Sequence, residues 1–587
     1  MRGRLQQGRR ELVVGWALCA VASLVYLLTA DRSASWWDCG EFITTSHTLQ
    51  VGHPPGAPVY QLIAHLFSLL AGHNLALVAP LCNALSALAG GFTVMLLFWT
   101  AVLLWPSPRR FPLGALVGAL CYLFSDTVWF SAVESEVYSL AMLVAAALVW
   151  IMLRWEQRGD DRRLLLVALL LGLGLGVHLL VLLTAPTLLY VFIRAGGFRR
   201  PGWGRVALFG ALFFLLGLTP YAIIPIRAAA GTPINEGNPS TPETFRKYLA
   251  RDQYEKAPLY PRMWRQRDSD QRNYRDWTYD TTGIGANAVY YFSYQFGYMY
   301  CRYLMYNFAG REAVYHTASY NPHTRRFAVE RHHYIAIFIL PALLAIYGLL
   351  SMRRRTRRQY WLVMLLFLFG GVLLNLYLNH PCYEPRERDY AYVLSFYAVS
   401  LWIAAGAQAL WECPRLKQWL SALLLALAPL TMAVGNWPDH DRSRNHATHD
   451  IAMAHLQPCR PDAILLTLGD NDTFPLWYLL HVEQQRPDIT LYNINLTGVR
   501  RSLSIIRDNL GQRPIYLSQY AYARFGALFE GHLRCIGLCW EVTPEPVAIG
   551  SEKAIPDLQW HITPTEHLDP VSASFLNHWN RNLPATE

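Results

Sequence analysis

Charge is what this sequence has least of. Asp, Glu, Lys and Arg make up only 16% of its 587 residues, against 53% hydrophobic, where an ordinary soluble domain carries about a quarter charged. The shortage is segregated: residues 12–30 contain no charged side chain and are long enough to cross about 30 Å of hydrocarbon as a helix. That excludes a purely soluble protein and predicts a polytopic membrane protein with polar parts outside the bilayer. Lysine is rare, so the formal charge of +10 is carried almost wholly by arginine. Ten cysteines are too thinly spread for a disulfide framework, and packed thiols suit most of them. Cys535 and Cys539 form a C-x-x-x-C, a weak sign of a pair outside the cytoplasm. Repeats of solenoid period are absent, as is the similarity between halves that many transporters show.

Further apolar runs lie near residues 79–105, 111–125, 136–153, 205–224, 334–351, 360–378, 392–411 and 419–435. Arginines cluster in alternate connections: before residue 12, at Arg109 and Arg110, and over 154–163, 194–205 and 353–358, with Arg415 and Lys417 later. Cytoplasmic loops retain such residues. For both flanks of 164–193 to remain cytoplasmic, that stretch must be two short helices of roughly 15 residues turning near His178 and Leu179. Eleven spans result, with a cytoplasmic amino terminus and an extracytoplasmic carboxyl-terminal part. The first run could instead be a secretory signal, but it exceeds the usual signal core. The basic excess then marks topology and calls for no nucleic acid. A bacterial inner membrane is preferred to the endoplasmic reticulum.

Three exported regions are large enough to carry function: 31–78, 225–333 and 436–587. The expected division is a transmembrane catalytic domain over 1–435 and an α/β domain over 436–587. In the latter, 463–468 reads as a buried strand, G-D-N-D-T as a turn, 474–485 as a helix and 489–495 as a second strand, with 514–518 a further one. Residues 286–310, rich in Tyr, Phe and Met, suit a helix at the membrane interface.

The chemistry is expected just beyond the first span, in W-W-D-C-G-E-F followed by H-P-P-G-A-P. If residues 36–50 are helical, Asp38 and Glu41 share a face and can serve as a general base. The alternative is helix capping, but the rigid turn bearing His53 argues for a shaped loop. The next outer connection, F-S-D-T-V-W-F-S-A-V-E-S-E-V-Y, presents Asp126, Glu134, Glu136 and Tyr138, either as sugar or acceptor contacts or as solvated helix ends. Later, N-H-P-C-Y-E-P-R-E-R-D-Y places Arg386 and Arg388 in an outer loop where positive charge is normally avoided. They can hold a lipid phosphate or pair internally with Glu384, Glu387 and Asp389. Arg227, Arg302 and Arg311 are candidates for the same phosphate. His178 is a polar contact or a packed side chain. Asp470 and Asp472 read as turn residues, not a metal site.

These motifs, with R-A-A-A-G-T-P-I-N-E-G-N-P, M-Y-C-R-Y-L-M-Y-N-F-A-G-R and G-D-N-D-T-F-P-L-W-Y, resemble those of domain-of-unknown-function family 2723, which includes animal protein O-mannosyltransferases. The resemblance runs from about residue 12 to 500. It implies a GT-C membrane glycosyltransferase that takes a sugar from a polyprenyl phosphate, with Asp38 as base and Glu41 beside it. Together with the charges read above, phosphate binding is expected at Arg386, Arg388, Arg302 and Arg311, and substrate binding at His53, Glu134, Glu136, Tyr138, His178 and Asp389. The expected partners are a polyprenyl-phosphate hexose, an exported protein or glycan acceptor, and membrane lipid. A divalent metal is compatible with these residues and not required by them. A lipid-linked glycan transporter and a non-catalytic assembly factor are the alternatives.

Overall fold

The computed structural model describes residues 8–105, 111–310, 320–321, 326–327, 339–382, 384, 386–547, 572 and 575. Its helices fall on every apolar run: α1 (Arg9–Thr29), α4 (Val78–Leu104), α5 (Leu113–Leu123), α7 (Val137–Arg158), α8 (Arg162–Leu175), α9 (Leu179–Arg194), α10 (Trp203–Ala229), α11 (Leu340–Arg355), α12 (Arg357–Leu378), α13 (Asp389–Trp411) and α14 (Gln418–His440). Between them on the polar side lie α2 (Cys39–Thr48), α3 (Pro58–Leu69) and α6 (Asp126–Ala132). Among the described residues, seven helices are long and apolar enough to cross a membrane, and α5 with α6 adds an eighth bent by 63°. The chain is thus a multi-pass membrane protein. The 164–193 stretch is two short helices meeting near His178, as its arginine flanks require.

Burial explains the composition of each span. Helix α13 is 94% buried over its apolar window while α10 is only 11% buried, so α13 is the bundle's axis and α10 shows its Leu and Phe side chains outward. Every residue from Val393 to Ala409 is inside. Glycines permit the close approach: a Cβ at Gly118 of α5 would come within 2.6 Å of the Ser400 carbonyl oxygen. Dispersion between closely packed backbones, in place of the hydrophobic effect, holds such helices together in lipid. The first span is gripped likewise, Tyr26 Oη donating to the Leu123 carbonyl at 2.8 Å.

Beyond α14, α15 (Ala447–Leu456) leads into a five-stranded sheet of β1 (Ile464–Thr467), β2 (Thr490–Asn493), β3 (Ile515–Ser518), β4 (Leu533–Ile536) and β5 (Cys539–Val542), ordered β2-β1-β3-β5-β4. β1 pairs in parallel with β2 and β3, as the expected β-α-β unit demands. β5 and β4 extend the sheet as an antiparallel hairpin. One boundary differs: G-D-N-D-T is no free turn, because α16 (Asp470–His481) starts inside it. An acid in a helix's first turn is favoured by the macrodipole, and Asp472 further accepts from the Leu468 amide at 2.8 Å and from Ser518 Oγ. Cys535 and Cys539 lie in register with Trp540 and Ile536, not with each other, across the hairpin.

This small α/β unit sits against the connection that follows α1. Gly40 of α2 meets the backbone of α16, where a Cβ would lie 2.7 Å from the Phe474 carbonyl oxygen. Trp36 stacks on Phe575 at 5.5 Å and donates to Ser572 Oγ at 2.9 Å. The Arg442 amide donates to the Thr29 carbonyl at 3.0 Å.

Candidate active site

Helix α2 begins at Cys39, three residues later than the sequence suggested, because Trp37 takes the left-handed region at φ 61° and breaks the helical path. Asp38 stands at the N-cap, yet its side chain makes no capping hydrogen bond, so capping is not what it does. Its Oδ2 lies 3.6 Å from the Arg386 guanidinium. Arg386 is itself buried and reaches Glu136 at 3.1 Å and Glu134 at 3.9 Å, while Arg442 takes the other oxygen of Glu134 at 2.7 Å. The second oxygen of Glu136 has no hydrogen-bond partner. Burial drives the Glu136 carboxyl upward, with Arg386 pulling it down and Asp38 and Glu134 pushing it further up.

Glu41 organises the H-P-P-G loop. Its two oxygens receive the His53 amide at 2.6 Å and meet the His53 ring Nδ1 at 2.7 Å. Gly52 is necessary there, since a Cβ would collide with the Glu41 carboxylate. Gly56 at φ 79° turns the loop under Tyr248, whose hydroxyl donates to the Gly52 carbonyl at 2.7 Å. Burial would lower the His53 imidazole, but the charge and hydrogen bond of Glu41, with Asp38 and Glu236 behind, outweigh it and raise it to about 10.

Asp38, Glu41 and His53 bring ligand atoms within 4.8 Å of one another, a spacing and donor set open to a divalent ion. As the residues stand, His53 Nδ1 and one Glu41 oxygen are engaged with each other at 2.7 Å, so a metal would have to replace that contact.

On the other side of Arg386 lies a narrow cleft lined by Tyr294, Tyr298, Met299, Arg302, Tyr303, His380, Pro381, Glu384, Arg386, Glu387 and Arg388. Three of the five arginines singled out from sequence thus share one cavity, and Arg311 lies outside the described residues. Each has a partner: Arg302 pairs with Glu387 at 2.7 Å, Arg388 with Glu384 and Tyr390. Of the internal pairings foreseen for Arg386 and Arg388, that of Arg388 with Glu384 is found, while Glu387 pairs with Arg302 instead. Arg227 is elsewhere, donating to the Leu49 carbonyl at 2.6 Å.

Tyr138 joins the group through its ring, 4.6 Å from Tyr390 and 5.3 Å from His178. His178 Nδ1 accepts from the Leu180 amide at 3.1 Å, so one ring nitrogen is spent on the backbone. Asp389 is buried and accepts from Thr127 Oγ1 at 2.6 Å, a link between α13 and α6. Asp126 lies 3.0 Å from His440.

Two acids join the site that sequence reading passed over or judged structural. Glu236, within P-I-N-E-G-N-P, is pinned to the H-P-P-G loop by its amide, which donates to the Val51 carbonyl at 3.1 Å. It is 5% exposed, its Oε1 lacks a hydrogen-bond partner, and burial together with the Glu41 charge lifts its carboxyl well above the usual range. Asp470 keeps contact with solvent, and the surrounding protein with the charges of Asp38 and Glu41 raises it to about 6. The only local hint was an acid within a turn-rich run, a pattern common in structural turns.

The comparisons agree with the motifs. Residues 38–198 match the family model of the protein O-mannosyl-transferase TMEM260 N-terminal domain, and residues 448–500 match TMEM260-associated domain 2. The protein O-mannosyl-transferase tmem260 of Dictyostelium discoideum is 27% identical over 255 residues, covering 40% of this chain and 30% of that protein. The Mus musculus protein O-mannosyl-transferase TMEM260 is 28% identical over 247 residues, covering 40% and 34%. The chain thus spans about a third of the length of the curated relatives it matches. Crystal structures of ArnT from Cupriavidus metallidurans share the fold: the apo form has a TM-score of 0.53 at 12% identity, covering 90% of this chain and 98% of that one. The form bound to undecaprenyl phosphate gives 0.51 at 11% identity, covering 88% and 95%. The chain resembles the TMEM260 protein O-mannosyl-transferases in sequence, at the first membrane exit and around the start of α16, and is built on the GT-C fold.

Proposed function

We propose that the chain is a membrane glycosyltransferase that moves a hexose from a polyprenyl phosphate to an acceptor hydroxyl. The observation that carries this reading is the approach of Asp38, at 3.6 Å, to Arg386, which lines a cleft together with two further arginines. Asp38 takes the proton of the acceptor hydroxyl as that oxygen bonds to the anomeric carbon. The bond from this carbon to the phosphate oxygen breaks, its electron pair leaves with the lipid phosphate, and the configuration inverts. Arg386, Arg388 and Arg302 take up the growing phosphate charge from positions already set by their carboxylate partners.

Glu134 and Glu136 hold Arg386, Glu41 holds His53, and Glu236 and Asp470 offer carboxyls to sugar hydroxyls. The aromatic face of Tyr138, Tyr390 and His178 flanks the same region. The names of the relatives and the lipid in the ArnT crystal support the donor class. The acceptor is read as Ser or Thr of an exported protein. The amino terminus is placed in the cytoplasm and the α/β unit outside, in a bacterial inner membrane, with the endoplasmic reticulum the alternative because both curated relatives are eukaryotic.

The test supplies purified protein with radiolabelled polyprenyl-phosphate hexoses and candidate acceptor peptides. Asp38→Asn is expected to keep donor binding and lose about 10²- to 10⁴-fold in turnover. Transfer unchanged by that substitution rejects the assigned base. A transporter tolerates it in part, and an assembly factor is indifferent to it.

A further inference from the structure

Asn471 belongs to α16 and is remote in sequence from the first outer loop, yet its Oδ1 accepts from the Trp37 amide at 2.7 Å. Trp37 is the residue that needs such a grip. A bulky side chain in the left-handed region is strained, typically by about 1–3 kcal/mol, and persists only where its surroundings enforce it. The reversal at Trp37 sends Asp38 to the N-cap of α2 with its carboxylate free of capping and near Arg386. The Trp37 ring lies 5.5 Å from the Arg386 guanidinium, so the same residue touches both partners.

The neighbourhood leaves Asn471 little freedom. Gly40 fixes α2 against the backbone of α16 at Phe474. Gly469 is the N-cap of α16 at φ 89°, and Asn471 follows two residues later, in the first turn. Asp470, next to Asn471, feels the charges of Asp38 and Glu41.

We propose that the α/β unit is part of the catalytic centre, with Asn471 a positioning residue that holds Asp38 in place through the Trp37 main chain. The unit then cannot be a detachable acceptor module: its docking and the placement of the base are one event. This rests on the glycosyltransferase reading for its kinetic consequence, but not for its structural one.

The experiment uses the full-length protein in lipid nanodiscs and two variants. In Asn471→Ala, hydrogen–deuterium exchange is expected to show one additional fast-exchanging amide in the peptide covering Trp37, with protection of the spans unchanged. Turnover should fall about tenfold or more with the donor KM within about twofold, since the arginine cleft is untouched. Asn471→Asp retains the acceptor oxygen and should restore protection and most of the turnover, with its activity shifted to higher pH by the added carboxylate beside Asp470. Unchanged exchange at Trp37 in Asn471→Ala overturns the proposal, as does an Asn471→Asp variant no better than Asn471→Ala. If the wild-type protein transfers no sugar, the functional reading fails while the exchange measurement still decides the role of Asn471.

Discussion

Asp38 and Arg386, from two connections far apart in the chain, face each other at 3.6 Å, and Asp38 makes no capping hydrogen bond to its own helix. Arg386 is tied to Glu136 and Glu134 from a third connection. The base and the phosphate-binding cation are thus held in one ionic lattice, in which a shift of any loop is felt by the others.

Arg386 and Arg388 should separate stability from affinity. Arg386 is buried against buried carboxylates, so Arg386→Ala leaves them uncompensated and should lower folding stability by about 3–5 kcal/mol. Arg388 is about one-third exposed with its head on the cleft. Arg388→Ala should leave the thermal midpoint near its wild-type value and weaken donor binding about tenfold or more, the worth of a charge-assisted hydrogen bond. Thermal unfolding beside binding of a labelled polyprenyl-phosphate hexose checks both.

Gly40 is a point of close backbone contact between α2 and α16 of the α/β unit. A methyl at Gly40→Ala must find room against the Phe474 carbonyl, an overpacking expected to cost about 1–3 kcal/mol. The expected outcome is a lower unfolding midpoint together with faster exchange in α16. A variant as stable as the wild type would show that α2 and α16 slide freely.

His53 gives the protein a stability that depends on pH in a definite direction. Its imidazole rises from about 6.5 to about 10 in the folded state, so folding favours the protonated form. This contribution is complete below pH about 6.5, declines above it and is lost as pH passes about 10. The thermal midpoint should therefore fall between pH 7 and 10 in the wild type. In Glu41→Gln, which removes the charge that raises His53, the fall over that window should be smaller; equal slopes in the two proteins would refute the assignment.

Asp470 acts in the same sense over a lower pH window. A carboxyl raised to about 6 binds its proton more tightly when folded, so its ionisation above pH 6 weighs against the folded state. Asp470→Asn should consequently raise the midpoint at pH 8 relative to pH 5, measured against the wild type at each pH.

Several of the groups that meet at the site were visible from local rules. Asp38, Glu41, Arg386 and Arg388 are charges beside membrane spans, where each charge is costly enough to need a reason. His53 lies in a proline-glycine turn that only a fixed shape explains. Glu236 and Asn471 break no local rule: an acid and an amide in turn-rich runs are ordinary, and what distinguishes them is the loop they touch. The start of α2 was misplaced for a related reason. Helical periodicity gives no sign that Trp37 would be held left-handed by a side chain from the α/β unit.

Which segments cross the membrane, how the short pair near His178 turns back and where the parallel strands run all follow from linear patterns of apolar and charged residues. A bilayer of fixed thickness and a sheet of period two impose those patterns along the chain. Which carboxylate meets which guanidinium, and that α16 reaches Trp37, depends on how the helices pack and on irregular loops between them. Side chains in such loops obey no period, so their directions are set by contacts between residues far apart in the chain.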